Sequence, residues 1–159
     1  MASVRLSASL ARPDPMDNLY RDFILEHYRE PHNRGRLDPH DLAFADSNPT
    51  CGDELGMTLR LDESRRRIAD VAFDGRGCAI SQASASIMTD GLRGLSLDEV
   101  LALDPREVIA DLGVPIGPAR LKCALLGYKV LQGAVQGSAA NWPEEADVLA
   151  GPSTGGSAP

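Results

Sequence analysis

Asn48-Pro49-Thr50-Cys51-Gly52-Asp53 sets a thiol and a carboxylate two residues apart on a turn bounded by proline and glycine. That pairing can ligate a metal ion or present a reactive thiol. The other two of the three cysteines extend the pattern. Cys78 closes the glycine-rich turn Asp74-Gly75-Arg76-Gly77, and Cys123 follows Arg120-Leu121-Lys122 early in a predicted helix. If the three sulfurs converge, Cys51, Cys78 and Cys123 with Asp53 make four ligands, a set suited to tetrahedral zinc. Three thiolates with one exchangeable ligand suit an iron-sulfur cluster equally, and the residue types do not choose between the two.

Lys122 is the poorer fourth ligand, because an ammonium with an ordinary pKa of about 10.4 has no free lone pair at neutral pH. Three thiolates, a carboxylate and a dication sum to a formal charge of about −2. Arg76, Arg120 and Lys122, each within a few residues of a ligand, could offset it. Free cysteine is also among the most buried residue types, so any one of the three alone would be read as a packed thiol. Three cysteines, each beside a glycine or a helix start and one beside Asp53, point to a site instead. His27, His32 and His40 have no ligand spacing to one another and are expected in surface or packing roles.

Positioning these groups requires several elements. A helix opens near Asp17, with Leu19, Tyr20, Phe23, Ile24 and His27 on one face, and ends before Pro31. The chain then turns through Pro31-His32-Asn33-Arg34-Gly35 and runs extended past Leu42-Ala43-Phe44 towards the Cys51 turn. Leu55, Met57, Leu59 and Leu61 alternate with other residues, as do Ile68 to Phe73, the period of half-buried strands. Joined as an antiparallel hairpin, they aim Cys51 and Cys78 at the same edge. The basic run Arg65-Arg66-Arg67 between them, flanked by Asp62 and Glu63, reads as a solvated turn.

Ala79 to Leu92, rich in alanine and serine, predicts a helix that packs closely, with Cys78 at its anion-favouring N-terminus. Ser96 and Asp104 each precede a glutamate by three positions and cap two short helices. Pro118 opens a longer helix with one core stripe at Leu121, Ala124, Leu125, Tyr128 and Leu131 and a small-residue stripe at Cys123, Gly127, Val130 and Ala134. Lys122, Lys129 and Gln136 fall on its expected wet side.

The 159 residues suffice for one domain with a real core and are too few for two comfortable ones. Hydrophobic residues at 43% and charged residues at 25% are ordinary for a globular protein, with no membrane-spanning run. The net charge of −7 argues against a nucleic-acid partner, which needs an electropositive face. Three cysteines cannot all pair within one chain, which fits a reducing, cytoplasmic compartment. Residues 1–15 are expected to be a flexible N-terminal extension too weakly apolar for a secretory signal, 16–137 the folded domain, and 138–159 a disordered tail.

The three cysteine motifs, Asn48 to Asp53, Gly75 to Ser81 and Ala119 to Leu126, in order over residues 16–137, resemble those of the IscU/SufU family of iron-sulfur cluster assembly proteins. The resemblance implies an α+β single domain: a small antiparallel sheet, helices packed on one face, and the cysteine site at one exposed end. In the scaffold branch of that family the residue before the third cysteine is a histidine, and a short proline-rich segment upstream recruits a chaperone. Here those positions hold Lys122 and Gly117-Pro118-Ala119-Arg120, which is similar to the SufU branch. The short connection from Asp90 to Val114 lacks the insertion that SufU-type members commonly carry.

By this resemblance, Cys51, Asp53, Cys78 and Cys123 hold zinc, and Cys51 accepts persulfide sulfur from a cysteine desulfurase for downstream cluster-assembly proteins or iron-sulfur apoproteins. Arg76 and Lys122 support the anionic sulfur. The protein then acts as a sulfurtransferase or sulfur carrier. A scaffold that builds a transient [2Fe-2S] cluster on the same ligands is the alternative expectation, and a structural zinc module the lesser one.

Overall fold

The computed structural model describes residues 15–144 and Val148, with side chains from Leu19 onward. In chain order the elements are α1 (Pro15–Arg29), β1 (Leu42–Asn48), β2 (Asp53–Leu61), β3 (Ile68–Arg76), α2 (Ala79–Asp90), α3 (Leu97–Leu101), α4 (Pro105–Leu112) and α5 (Pro118–Gln136). The three strands form one antiparallel sheet in the order β1-β2-β3. With helices packed against it, the domain is α+β, as expected.

The alternation at Leu55, Met57 and Leu59 is realised as a buried face of β2, and Val71 and Phe73 continue that face on β3. Against it α5 lays Leu126, Val130, Leu131 and Ala134, with Ala85 of α2 alongside. Each large side chain fully buried there is worth about 1.5–3 kcal/mol of transfer free energy. A second cluster joins Ile24 of α1, Ala83 of α2, Leu112 of α4 and Ala124 of α5. The serines of α2 permit this close approach because their hydroxyls find partners: Ser84 Oγ donates to the carbonyl of Ala124, 2.7 Å away. Ser96 and Asp104 cap α3 and α4 through the amides of Glu99 and Arg106.

The stretch through Leu42-Ala43-Phe44 goes further than extended backbone. It is a full edge strand, pairing from Leu42 opposite Leu59 to Asn48 opposite Asp53. On the other side of the sheet, the loop after α1 covers β3: Phe73 exchanges backbone hydrogen bonds with Asn33 and Gly35. That leaves less open edge.

Two differences from the sequence-based expectation concern the end of α5. Lys129, assigned to the wet side, is only 7% exposed, and its ammonium is paired with Asp46 of β1. Burial opposes the charge on Asp46, but the hydrogen bonds from Lys129 and from the Ser47 amide outweigh it and hold the carboxyl below its ordinary value. Trp142 and Val148, assigned to a disordered tail, lie against the body beside Leu121, Leu125 and Tyr128. The apolar surface they cover is what a tail read by composition alone does not reveal. Of the extension expected over residues 1–15, Pro15 belongs to α1 and 1–14 lie outside the described residues, as do 145–147 and 149–159 of the expected tail.

Candidate metal centre

The β1–β2 connection is the Cys51 turn itself. Asn48 ends β1 opposite Asp53, which begins β2, and its carbonyl accepts the amides of Cys51 at 3.2 Å and Gly52 at 2.8 Å. Its side-chain Oδ1 accepts the Thr50 amide at 3.3 Å. Gly52 sits at φ 74°, a left-handed conformation that glycine adopts at no steric cost. The result is an exposed Cys51 at the apex of a well-anchored turn.

Beneath the apex, Asp53 is 1% exposed. Its Oδ1 accepts the Cys78 amide at 3.0 Å, while Oδ2 is buried without a hydrogen-bond partner. The backbone at Gly77 passes so close that a Cβ there would lie 2.5 Å from both Asp53 Oδ1 and Ser81 Oγ. Cys78 caps α2, as expected, and its sulfur lies 3.8 Å from Ser81 Oγ. From the first turns of α5, the buried Cys123 brings its Sγ to 3.3 Å from that of Cys51.

The ligand atoms of Cys51, Asp53 and Cys123 all lie within 4.8 Å of one another, and the sulfur of Cys78 stands outside that group. Burial, then the neighbouring Cys51 sulfur and the Asp53 carboxylate, pushes the Cys123 thiol far above its ordinary range. A buried thiol set against a carboxylate and a second sulfur is an environment in which a cation replaces the proton favourably. The unpartnered Asp53 Oδ2 fits the same conclusion, since a buried polar atom left unsatisfied costs about 1–3 kcal/mol. Thiols with a carboxylate suit zinc or iron rather than calcium or magnesium.

Of the two basic residues expected to support the anionic sulfur, Arg76 pairs with Glu54 at 3.2 Å and is largely exposed. Lys122 lines a cavity of about 210 Å³ together with Cys51, Thr50 and Trp142. Three residues at the site carry roles that the sequence did not assign. Asn48 Nδ2 lies 3.9 Å from Cys123 Sγ and donates to it, Ser81 holds the carbonyl and sulfur of Cys78, and Trp142 walls the cavity. Asn48 and Ser81 lie inside the cysteine motifs, where an amide three residues before one cysteine and a hydroxyl three residues after another were signals available to a reader. Trp142 had none beyond being the single tryptophan.

A second cluster joins His27, His32 and Asp90, also with ligand atoms within 4.8 Å. Its groups have protein partners: His27 Nδ1 meets Ser86 Oγ at 2.7 Å and His32 Nδ1 meets Asp90 Oδ2 at 2.6 Å. These contacts tie α1 and its following loop to α2. Burial, reinforced by His32 and opposed by Asp90 and Glu26, lowers the pKa of His27.

Residues 19–141 match the family described as the NifU-like N terminal domain. The chain is 37% identical over 135 residues to the zinc-dependent sulfurtransferase SufU of Bacillus subtilis, covering 74% of this chain and 89% of that protein. It is 36% identical over 143 residues to the iron-sulfur cluster assembly scaffold protein IscU of Streptococcus pyogenes, covering 78% and 87%. Among solved structures, a Fervidobacterium islandicum protein described as a candidate iron-sulfur cluster assembly scaffold for the SUF system superposes with a TM-score of 0.63 at 28% identity, covering 72% of this chain and 94% of that one.

Proposed function

The chain belongs to the NifU-like N-terminal domain family of iron-sulfur cluster assembly proteins, and from that premise we propose that it is a zinc-bound sulfur acceptor for a cysteine desulfurase. The observation that carries this reading is the graded exposure of the ligand set: Cys51 is exposed at the apex of its turn, Cys78 is half-buried, and Asp53 and Cys123 are buried beneath the apex. Cys51 is the thiol most open to a partner.

Cys51, Asp53, Cys78 and Cys123 are the ligands, Cys78 being tied to Asp53 through its amide. Bound there, zinc would supply the positive charge that keeps the thiols deprotonated. Exposed at the apex of its turn, the Cys51 thiolate attacks the outer sulfur of a persulfide on the desulfurase. The donor's S–S bond breaks, its electron pair stays on the donor cysteine as thiolate, and a new S–S bond forms on Cys51. The exchange balances without an external oxidant. Asp53 and Cys123 keep the site assembled, and Asn48 steadies both the turn and the Cys123 sulfur. The persulfide then passes to cluster-assembly proteins or iron-sulfur apoproteins. Free thiols in this role require a reducing compartment, which supports a cytoplasmic location. Among the described residues no helix is long and apolar enough to cross a membrane.

A second reading, a scaffold that assembles a [2Fe-2S] cluster as cargo on the same residues, is favoured by one feature. Between α2 and α5 the chain holds only the short helices α3 and α4, without an added segment beside the site. Turnover of the same organism's desulfurase with and without the zinc-loaded protein separates the two. Stimulation that disappears with Cys51→Ala supports sulfur acceptance; no stimulation by a folded, metal-loaded protein favours the scaffold.

A further inference from the structure

The cavity beside Cys51 owes one wall to a residue far from any cysteine motif. Trp142 lies six positions beyond the last residue of α5, yet its ring is within 5.5 Å of Lys122 Nζ and 5.2 Å of Lys129 Nζ. These two lysines are not equivalent. Lys129 is buried and paired with Asp46, so together with the apolar contacts of Trp142 it anchors the indole. Lys122 is exposed and borders the cavity that Cys51 also borders. A lysine ammonium on a four-carbon stem samples many rotamers in water, and an aromatic face restricts it.

We propose that Trp142 is a positioning residue for Lys122: the indole face, fixed by Lys129 and Asp46, holds the Lys122 ammonium at the rim of the Cys51 cavity, where it faces the anionic sulfur that Cys51 takes up. This rests on the sulfur-acceptor reading and deepens it. Packing alone would require of Trp142 only its buried area. The shared cavity adds a charge at a defined place. When the donor S–S bond breaks, negative charge resides on the departing donor thiolate and on the new Cys51 persulfide once it loses its proton. An ammonium held beside them stabilises both, and one left free in solvent does so less. The anionic ligand set is offset by the same cation.

The experiment is single-turnover sulfur transfer from persulfide-loaded desulfurase to zinc-loaded full-length protein at saturating donor, in wild type, Trp142→Ala, Trp142→Phe, Lys122→Met and the double variant Lys122→Met/Trp142→Ala. Trp142→Ala slows loading of Cys51 by about threefold to tenfold at unchanged half-saturation, and Trp142→Phe restores most of the rate. In the Lys122→Met background, Trp142→Ala has no further effect. Equal slowing in both backgrounds would overturn the proposal, because a merely structural tryptophan acts regardless of Lys122. So would the absence of slowing. A second measurement does not depend on sulfur transfer: the Lys122 ε-methylene protons show an upfield ring-current shift by NMR that Trp142→Ala abolishes. If that shift is present and wild type takes up no sulfur, the functional reading fails and the positioning stands. Its absence in wild type removes the positioning claim itself.

Discussion

Replacing Asp53 by asparagine separates the needs of the fold from those of the site. In the metal-free protein the asparagine keeps Oδ1, and with it the 3.0 Å hydrogen bond from the Cys78 amide. What it removes is Oδ2, a carboxylate oxygen buried without a partner. An unsatisfied buried polar atom costs about 1–3 kcal/mol, and the amide that replaces it can donate to the neighbouring sulfurs. At about 2–4 °C per kcal/mol for a chain of this size, metal-free Asp53→Asn should melt roughly 2–12 °C higher than metal-free wild type. Metal binding moves the other way. Loss of an anionic ligand weakens zinc by about tenfold to a hundredfold or more, since even outer partners of ligands carry effects of that size. The assay is thermal melting in chelator and reductant, paired with zinc competition against a chromophoric chelator. A metal-free variant less stable than wild type, with unchanged zinc affinity, would refute the reasoning, because Asp53 would then be an ordinary turn residue.

Two further outcomes follow from the same geometry. Gly77→Ala places a methyl 2.5 Å from Asp53 Oδ1 and Ser81 Oγ, so it should destabilise the protein by about 1–3 kcal/mol in urea unfolding and weaken zinc binding together. The lowered pKa of His27 means that the unfolded chain binds a proton at higher pH than the folded one. Stability is therefore lost as pH falls below about 6.5, the ordinary imidazole value, towards the folded pKa. His27→Gln should flatten that part of the melting-temperature profile, and an unchanged slope would remove His27 as its source.

The parts of the molecule legible in the sequence were those decided by local chemistry. Pro49 and Gly52 mark the Cys51 turn, the alternation from Leu55 to Leu59 marks β2, and Ser96 and Asp104 mark their helix starts by capping. The parts that were not legible depend on distant partners. β1 contains Ala43, Ala45, Asp46 and Ser47, which carry little strand preference, so its pairing with β2 decides its structure. Lys129 reads as solvent-facing until Asp46 and Trp142 meet it. His27 and His32 are brought together by Ser86 and Asp90 of α2, not by their own spacing. At the site, the motif marked Cys51, Asp53, Cys78 and Cys123 as candidates, but the orphaned oxygen of Asp53 and the Asn48 contact to Cys123 appear only when α5 is laid beside the turn.

Sulfur acceptance at Cys51 is tested most directly by intact-mass and peptide mass spectrometry of the zinc-loaded protein after one turnover with desulfurase and cysteine, under conditions that trap persulfides. The expected result is one added sulfur atom located on Cys51, absent in Cys51→Ala while Cys78 and Cys123 remain unmodified. Sulfur found on Cys78 or Cys123 with Cys51 untouched, or none on any cysteine of a folded and metal-loaded protein, would contradict it.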